Sequence, residues 1–517
     1  MTVPVTYTQN LGALIAGMVA STYPVPEQTV SGLSLDSRSV ESGWLFLSLA
    51  QNDEQRTAYL KQALDFGASV ILFDVDVGLT PVEFKLIESA QAQAYPILDL
   101  AENASEIAAR YYDFPSDKMT VIAVTGTNGK TSVSQFIAQS LDYLGFECGI
   151  IGTLGVGKIG NLSSTGMTTP DPILMQALFA EFYNQGCSHV VIEASSHALA
   201  QGRLNSVAID SAILTNLSRD HLDYHNTMEA YALAKKQLFM FKGLATAILN
   251  TADAFGQSLI EDLAANQTVR VISYNAQTLD SSTLSATAIE SHLSGMSFTI
   301  SYQQQTAQIK SDLLGRFNVD NLLATVAGLV AIEVGFDQAC QAIQQCHAVE
   351  GRMQAYSAQN QAEVVIDFAH TPDALTQALM SLRTHLPQQG VLWCVFGCGG
   401  DRDKGKRAVM GQCAELYADK IVLTTDNPRS ENNHDIVADI LMGITKPESV
   451  HIEHDRQQAI TFAVVHASQD DIVLVAGKGH EDYQEIAGNK IRFSDAVAVV
   501  KALQAANDDN HSIAEVQ

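Results

Sequence analysis

Basic residues are scarce in this 517-residue chain: 30 lysines and arginines face 57 aspartates and glutamates, a formal net charge of -27. So acidic a surface repels nucleic-acid backbones and anionic membrane faces, and neither is an expected partner. If the ligands are themselves anionic, a few local basic side chains and backbone N–H groups must attract them. The seven cysteines (Cys148, Cys187, Cys340, Cys346, Cys394, Cys398 and Cys413) are scattered and odd in number, and none forms a C-x-x-C pair. That spacing argues against a zinc ribbon or a disulfide framework. Cys394 and Cys398, beside a glycine turn, read as small apolar residues. No run approaches the roughly 20 uninterrupted apolar residues of a membrane helix. Residues 1–20 lack the basic segment and apolar run of a signal peptide, so the expected location is the cytoplasm. Internal repeats and low-complexity segments are absent as well.

What is present is an ordinary globular composition, 46% hydrophobic and 17% charged. The length exceeds what one core supports and implies two or three domains. Short apolar runs at 121–124, 190–193, 212–215, 364–368, 391–396, 421–424 and 472–475 each lead into Gly, Asn, Asp or Ser and then a helical pattern. Continuous apolar strands alternating with helices predict parallel α/β sheets covered on both faces, with ligands beyond the carboxyl ends of the strands. Three domains are expected. Residues 1–97 form a small N-terminal α/β domain, 98–349 a central parallel-sheet domain with the phosphate loop, and 350–517 a C-terminal Rossmann-like α/β domain. The tail from Ala505 is polar and is expected to fray.

The strongest chemical signal lies at 121–134, VIAVTGTNGKTSVS. A strand runs into Gly126, Thr127, Asn128, Gly129, Lys130, Thr131 and Ser132, and a helix follows. Glycines let the backbone wrap a phosphate while N–H groups and the helix N-terminus point at it. Lys130 then neutralises the β- and γ-phosphates of ATP and Thr131 holds Mg²⁺. Val124 stands where the usual loop has its first glycine, so this is a shortened variant beginning at Gly126.

TGTNGKTS resembles the ATP loop of the Mur ligases, enzymes that build the peptide stem of bacterial peptidoglycan. Further motifs follow in family order: TTP at 168–170, EASSH at 193–197, TNLSRDH at 215–221, GRFNVDN at 315–321 and DFAHTPD at 367–373. The resemblance extends from about Leu35 to Glu481. It implies an amide ligase in which a carboxylate is activated by ATP as an acyl phosphate and captured by an amino acid. Within the family, Asp426, Asn427, Pro428 and Arg429 are similar to the signature of members that add meso-diaminopimelate to UDP-N-acetylmuramoyl-L-alanyl-D-glutamate. Diaminopimelate is a lysine-like chain with an extra carboxylate at its far end. Arg429 can clamp that carboxylate bidentately, and Asp426 and Asn427 can hold the neighbouring amine. L-lysine would leave the guanidinium unpaired, a mismatch that can reject an analogue by ~10⁴ or more. The resemblance adds Arg402, Glu481 and the backbone at Gly477 to this pocket.

Other expectations concern metal and phosphate chemistry. Glu193 ends a buried strand, where an unpaired carboxylate is costly, so Mg²⁺ is a sensible partner. By resemblance His221 is a second ligand, and Lys235 occupies the position that family members carry as a carbamate (N6-carboxylysine). That reaction needs a neutral amine, and Lys236 beside it, together with a nearby metal, is expected to lower its pKa. The uridine substrate would meet Leu35 and Ser37 near the base, and Thr168, Thr169, Ser195, Gln201 and Arg203 around its sugar–peptide end. Many members have a glycine-rich loop after Leu49, whereas this chain has AQNDEQR (Ala50, Gln51, Asn52, Asp53, Glu54, Gln55, Arg56), of which Asn52, Asp53 and Glu54 are the positional equivalents. Asn318 and Asn321 are expected to read adenine edges. Arg352, Asp367, His370 and Lys404 lie in the C-terminal domain, and some of them are expected to reach ATP only once that domain closes, with a structural role as the alternative for Asp367 and His370. The expected partners are small molecules only, and the chain is expected to act as a monomer. The rival readings are a lysine-adding or folate-polyglutamate sibling ligase, and a catalytically silent scaffold. Arg429 disfavours the lysine-adding sibling, TTP and DNPR together disfavour the folate one, and the loop lysine with the metal-type residues disfavours the scaffold.

Overall fold

A computed structural model of the protein describes residues 7–19, 27–49, 52–264, 268–276, 283–292 and 295–514. The chain divides into two compact units. The first comprises Met1–Lys130, Leu141–Leu249 and Asp253–Ile272; the second comprises Thr131–Ser140, Asn250–Ala252 and Ser273–Gln517.

In the first unit a small sheet is built from Leu33–Ser34, Leu45–Ser48, Val70–Asp74 and Gln93–Ile97, all parallel and paired in that order. Its strands are buried on one side by Leu11, Leu14, Ile15 and the helix Leu100–Tyr111, which contributes Leu100, Ala104, Ile107 and Ala108. The other side is covered by Leu60, Ala63 and Leu64 of the helix Asp53–Asp65 and Ile87 of Pro81–Ser89. A second parallel sheet carries the phosphate loop. Thr120–Thr125 lies at its centre, between His189–Glu193 and Ser211–Leu214, with Cys148–Gly152 and Thr246–Asn250 outside these. Val121, Ile122, Ala123 and Val124 are each fully buried, which explains why this strand reads as an unbroken apolar run rather than an alternating one.

In the second unit Leu284–His292, Gly295–Tyr302 and Gln305–Ser311 form an antiparallel meander. A six-stranded sheet follows, ordered Gln354–Tyr356, Glu363–Asp367, Ile472–Ala476, Leu392–Phe396, Lys420–Leu423, His451–Ile452. Only the first pairing is antiparallel. Cys394 and Cys398 belong to its core cluster, as their apolar reading requires. Every strand expected from the sequence is present within about one residue of its expected bounds. The α/β class, with parallel sheets feeding loops at strand carboxyl ends, stands. The helix Asp495–Ala514 runs on past Ala505, with Val499, Ala502 and Leu503 of its earlier turns in the core. Among the described residues no helix is long and apolar enough to cross a membrane.

Candidate active site

The strand Thr120–Thr125 delivers the chain into Gly126, whose φ of +147° only glycine adopts at ease; a Cβ there would lie 1.8 Å from Thr215 Oγ1. The loop is then held by the end of the neighbouring strand. Asn216 accepts from the N–H groups of Thr127 and Asn128, through its carbonyl and its side-chain oxygen, each at 2.9 Å. Thr215 Oγ1 donates to the Asn128 carbonyl at 2.6 Å. The Thr127 hydroxyl meets Tyr231 Oη at 3.1 Å and accepts from Ser218 N at 2.9 Å, so it is part of the scaffold. Lys130 Nζ donates to the carbonyls of Gly126 and Thr127, both at 2.9 Å. The helix Lys130–Tyr143 begins directly after the loop, with Thr131 and Ser132 buried in its first turn.

Lys235, on the helix Met228–Lys236, is 1% exposed and also donates to the Gly126 carbonyl, at 2.8 Å, beneath the Tyr231 ring. Burial first, and the Lys130 ammonium second, push its pKa well below the ordinary lysine value. The expectation that Lys236 supplies the second effect is wrong. One residue along a helix turns a side chain by about 100°, and Lys236 instead pairs with Asp262 at 2.7 Å.

Glu193 ends its strand 1% exposed, and its carboxylate accepts from Thr153 N at 2.9 Å and Thr153 Oγ1 at 3.0 Å. Thr153 was not singled out from sequence; no local pattern marks it, because it meets Glu193 only across neighbouring parallel strands. Thr153 Oγ1 also touches Thr168 Oγ1 at 3.1 Å. Thr169 Oγ1 donates to the Glu193 carbonyl at 2.6 Å and accepts from Ser195 N at 3.1 Å. Arg203 donates to the Thr169 carbonyl at 2.6 Å and to Gln201 Oε1 at 2.6 and 3.0 Å, and has no ion pair among the described residues. Thus Thr168, Thr169, Ser195, Gln201 and Arg203 do come together around the Glu193 strand end. His221, with φ of +53°, lies 3.4 Å from Asp220 and packs edge-on to His197; burial lowers its pKa. Among the described residues no three His, Cys, Asp or Glu side chains form a ready metal cluster.

On the small sheet, Leu35 packs against the core and Ser37 Oγ donates to Gln62 at 2.8 Å. Of the altered loop, Ala50 and Gln51 lie outside the described residues. Asn52 caps the helix Asp53–Asp65, Asp53 pairs with Arg56 at 3.1 Å, and Glu54 is exposed. Arg56 is buried against Glu83 through two 3.0 Å bonds. These residues therefore begin a helix where a glycine loop was the family expectation.

The second unit assembles the DNPR residues past the strand Lys420–Leu423. Asp426 and Asn427 are buried. Asn427 Nδ2 donates to Glu481 Oε2 at 2.8 Å, while its Oδ1 accepts from Glu485 N at 2.9 Å and Lys478 Nζ at 3.1 Å. Gly477, φ +113°, brings the backbone against Asp426: a Cβ there would be 3.0 Å from Oδ2. Pro428 directs its carbonyl at Gly400, where a Cβ would lie 2.0 Å away. Arg429, φ +50°, is tied by backbone bonds to Glu485 and Ala487 of the hairpin Tyr483–Ile486/Asn489–Arg492. Its guanidinium contacts Glu485 at 3.2 Å and the Gly400 carbonyl at 2.8 Å. Arg402 is exposed, reaching only the Asp401 carbonyl at 3.5 Å. Burial raises the pKa of Asp426; in Glu481 burial acts upward but Lys478 and Asn427 outweigh it, leaving the carboxyl below its ordinary value. Lys478, fully buried, is the member of this cluster that sequence reasoning missed.

Asn318 and Asn321 start the helix Phe317–Ala331 but are buried and bonded inward: Asn321 Nδ2 to Asn318 Oδ1 at 2.8 Å, and Asn318 Nδ2 to the Leu314 carbonyl at 2.7 Å. Arg352 stacks over Phe368, Asp367 accepts from Met353 N at 2.8 Å, His370 holds the Phe368 carbonyl, and Lys404 pairs with Glu431 at 3.0 Å.

A strand-to-helix glycine loop ends a strand of one parallel sheet, and acidic and basic side chains gather at the strand ends of another. The sequence relatives make this an ATP-dependent ligase. Residues 124–329 match the Mur ligase middle domain and residues 351–479 the Mur ligase glutamate ligase domain. The chain belongs to the Mur ligase family. It is 43% identical over 475 residues to the UDP-N-acetylmuramoyl-L-alanyl-D-glutamate–2,6-diaminopimelate ligase of Coxiella burnetii, covering 92% of this chain and 96% of that one. A solved structure of a ligase with the same name superposes with a TM-score of 0.72 at 35% identity, over 97% of this chain and 99% of that chain. MurF from Acinetobacter baumannii shares the fold, with TM-score 0.65 at 18% identity over 96% and 99% of the two chains.

Proposed function

We propose that this chain is the ATP-dependent ligase that adds meso-diaminopimelate to the D-glutamate of UDP-N-acetylmuramoyl-L-alanyl-D-glutamate in peptidoglycan precursor synthesis. The observation that carries the reading is the cluster of Asp426, Asn427, Arg429 and Glu481 in one place. It combines the buried carboxylate of Asp426 and the half-buried one of Glu481, for an ammonium, with a guanidinium whose Nη2 makes no hydrogen bond among the described residues. A zwitterionic amino acid with an additional carboxylate suits that combination.

The N-terminal domain is assigned the uridine end of the substrate and the central domain its sugar–peptide end, through Thr168, Thr169, Ser195, Gln201 and Arg203. Arg203, having no acidic partner among the described residues, is the natural counterion for the substrate's carboxylates. ATP is assigned to the loop 126–132. Lys130 leaves the Gly126 and Thr127 carbonyls to meet the phosphates. A γ-carboxylate oxygen of D-glutamate attacks the γ-phosphorus, the bond to the β-γ bridging oxygen breaks, and ADP departs. The amine of diaminopimelate, once deprotonated, attacks the acyl carbon; the C–O bond to phosphate breaks and inorganic phosphate leaves.

The donor chemistry fits Mg²⁺. Glu193 and the Thr131 hydroxyl are hard oxygen donors, with His221 as a nitrogen donor. Lys235 as an ammonium cannot ligate; it joins this set only as N6-carboxylysine, and the burial that favours its neutral amine favours that modification. Mg²⁺ held there would offset charge on the transferring phosphoryl group. The test is phosphate release with ATP, Mg²⁺ and the UDP-dipeptide, offering meso-diaminopimelate or L-lysine. Release with diaminopimelate alone is expected; equal or better release with lysine refutes the assignment of the pocket.

A further inference from the structure

Lys478 has no part in the reaction as just described, yet its ammonium sits at the centre of the acceptor residues. It is fully buried, 2.9 Å from Glu481 Oε2, 3.1 Å from Asn427 Oδ1 and 3.7 Å from Asp426 Oδ1, with the Tyr483 ring 5.6 Å away. A buried lysine is tolerated only when its charge is matched and its donors are used, and these contacts meet both conditions. They also have a directional result. Lys478 and the Glu485 N–H occupy the Asn427 oxygen together, so the amide is locked with its NH₂ toward Glu481 Oε2. Glu481 Oε1 and both Asp426 oxygens accept no hydrogen bond from the described residues, although Asp426 feels Lys478 at ion-pair range.

We propose that Lys478 is the positioning residue of the acceptor pocket: by occupying the Asn427 oxygen and one Glu481 oxygen, it presents the Asn427 NH₂ as a donor for a ligand carboxylate and leaves Asp426 and Glu481 Oε1 to receive the ammonium. This rests on the ligase reading above and deepens it. It also changes the division of labour expected from the sequence, in which Asn427 shared the amine with Asp426. One buried and one half-buried carboxylate against one resident cation leave the pocket one negative charge in excess, which matches an incoming ammonium. Other charges bear on these groups: Arg456 and Asp495 on Asp426, and His480 on Glu481. Lys478 holds the Glu481 carboxyl below its ordinary value against the upward pull of burial. Affinity for the amine is therefore retained above that value and lost as pH falls through it. Without Lys478 the acid limb moves to higher pH.

The test varies diaminopimelate at saturating ATP and UDP-dipeptide in the wild type, Lys478→Met and Lys478→Arg, with phosphate release as the signal. A charge-assisted hydrogen bond with its geometry is worth about a hundredfold. The KM for diaminopimelate is therefore expected to rise about 100-fold in the methionine variant and about tenfold in the arginine variant, which keeps the charge but not the reach. The KM values for ATP and the UDP-dipeptide should change less than about threefold, and the acid limb of 1/KM for diaminopimelate should move upward in the methionine variant. If the methionine variant does not fold, the selective tenfold change in the arginine variant carries the test. An unchanged KM for diaminopimelate, or equal rises in all three KM values, overturns the proposal. A wild type that releases phosphate with diaminopimelate, beside variants of unchanged KM, overturns the assignment of Lys478 alone. A wild type that releases none overturns the ligase reading and this assignment with it.

Discussion

At the phosphate loop two lysines, Lys130 and Lys235, converge on the carbonyl of Gly126, whereas in the acceptor pocket the single ammonium of Lys478 lies among Asp426, Glu481 and Asn427. The two regions have opposite charge excess. The site proposed for polyphosphate gathers cations and backbone, and burial first, with the Lys130 ammonium second, lowers the basicity of Lys235. The site proposed for the amino acid gathers carboxylates, and its resident cation favours their ionised form against the pull of burial. Burial has similar cost in both; what differs is which side of the balance the ligand must supply.

The largest effect expected from breaking this contrast is at the loop. Lys130→Ala should lower kcat for phosphate release by about 10³-fold or more, because phosphoryl transfer depends on positioning and electrostatics. Near-native turnover would remove the lysine from the chemistry and with it one half of the contrast. Next is the acceptor side. Arg429→Ala should lower kcat/KM for diaminopimelate by about 10²-fold or more while barely changing that for L-lysine, narrowing the preference between them. A parallel loss for both amino acids would mean that Arg429 shapes the pocket through Glu485 and Gly400 rather than by meeting substrate.

The smallest effect sharpens the role of a resident cation. Asp320 is a half-buried carboxyl with no ammonium in hydrogen-bonding contact among the described residues; desolvation raises its pKa to about 6, against the N–H of Ala276 and the charge of Arg316. Its folded-state value exceeds the roughly 3.9 of the unfolded chain, so the folded state holds the extra proton between about pH 4 and 6. Stability from this group is therefore full below that window and is lost as pH rises through it, by about 2–3 kcal/mol. Asp320→Asn keeps an oxygen for Ala276 but cannot ionise. Relative to wild type it should gain about 1–2 kcal/mol on going from pH 5 to pH 7.5, read from urea unfolding at each pH. A pH-independent difference would show that Asp320 does not carry an uncompensated charge.

Much of this arrangement was legible in the chain because its signals are local. Strands buried on both faces read as apolar runs, and the loop after Val124 carries its glycines and lysine within a few residues. The DNPR residues were likewise visible, as was the collection of Thr168, Thr169, Ser195 and Arg203 at one strand end. The altered loop was recognised as a departure, but not as the start of a helix anchored by the Arg56–Glu83 pair, because Glu83 lies 27 residues onward. The amides of Asn318 and Asn321 were expected to face adenine and are instead bonded inward, a matter of side-chain rotation that no spacing encodes.

By itself, then, the sequence determined the fold class, the phosphate loop, the family and the residue types of the acceptor pocket. Each depends on periodicity or on short runs whose backbone and chemistry are local. Only the tertiary structure decided that Thr153 holds the Glu193 carboxylate, that Lys130 rather than Lys236 presses on Lys235, and that Lys478 orders Asn427 across 51 residues of chain. The reason is physical: buried charges answer to whatever the packing brings within a few ångströms, and in a parallel sheet those neighbours come from strands far apart in the chain.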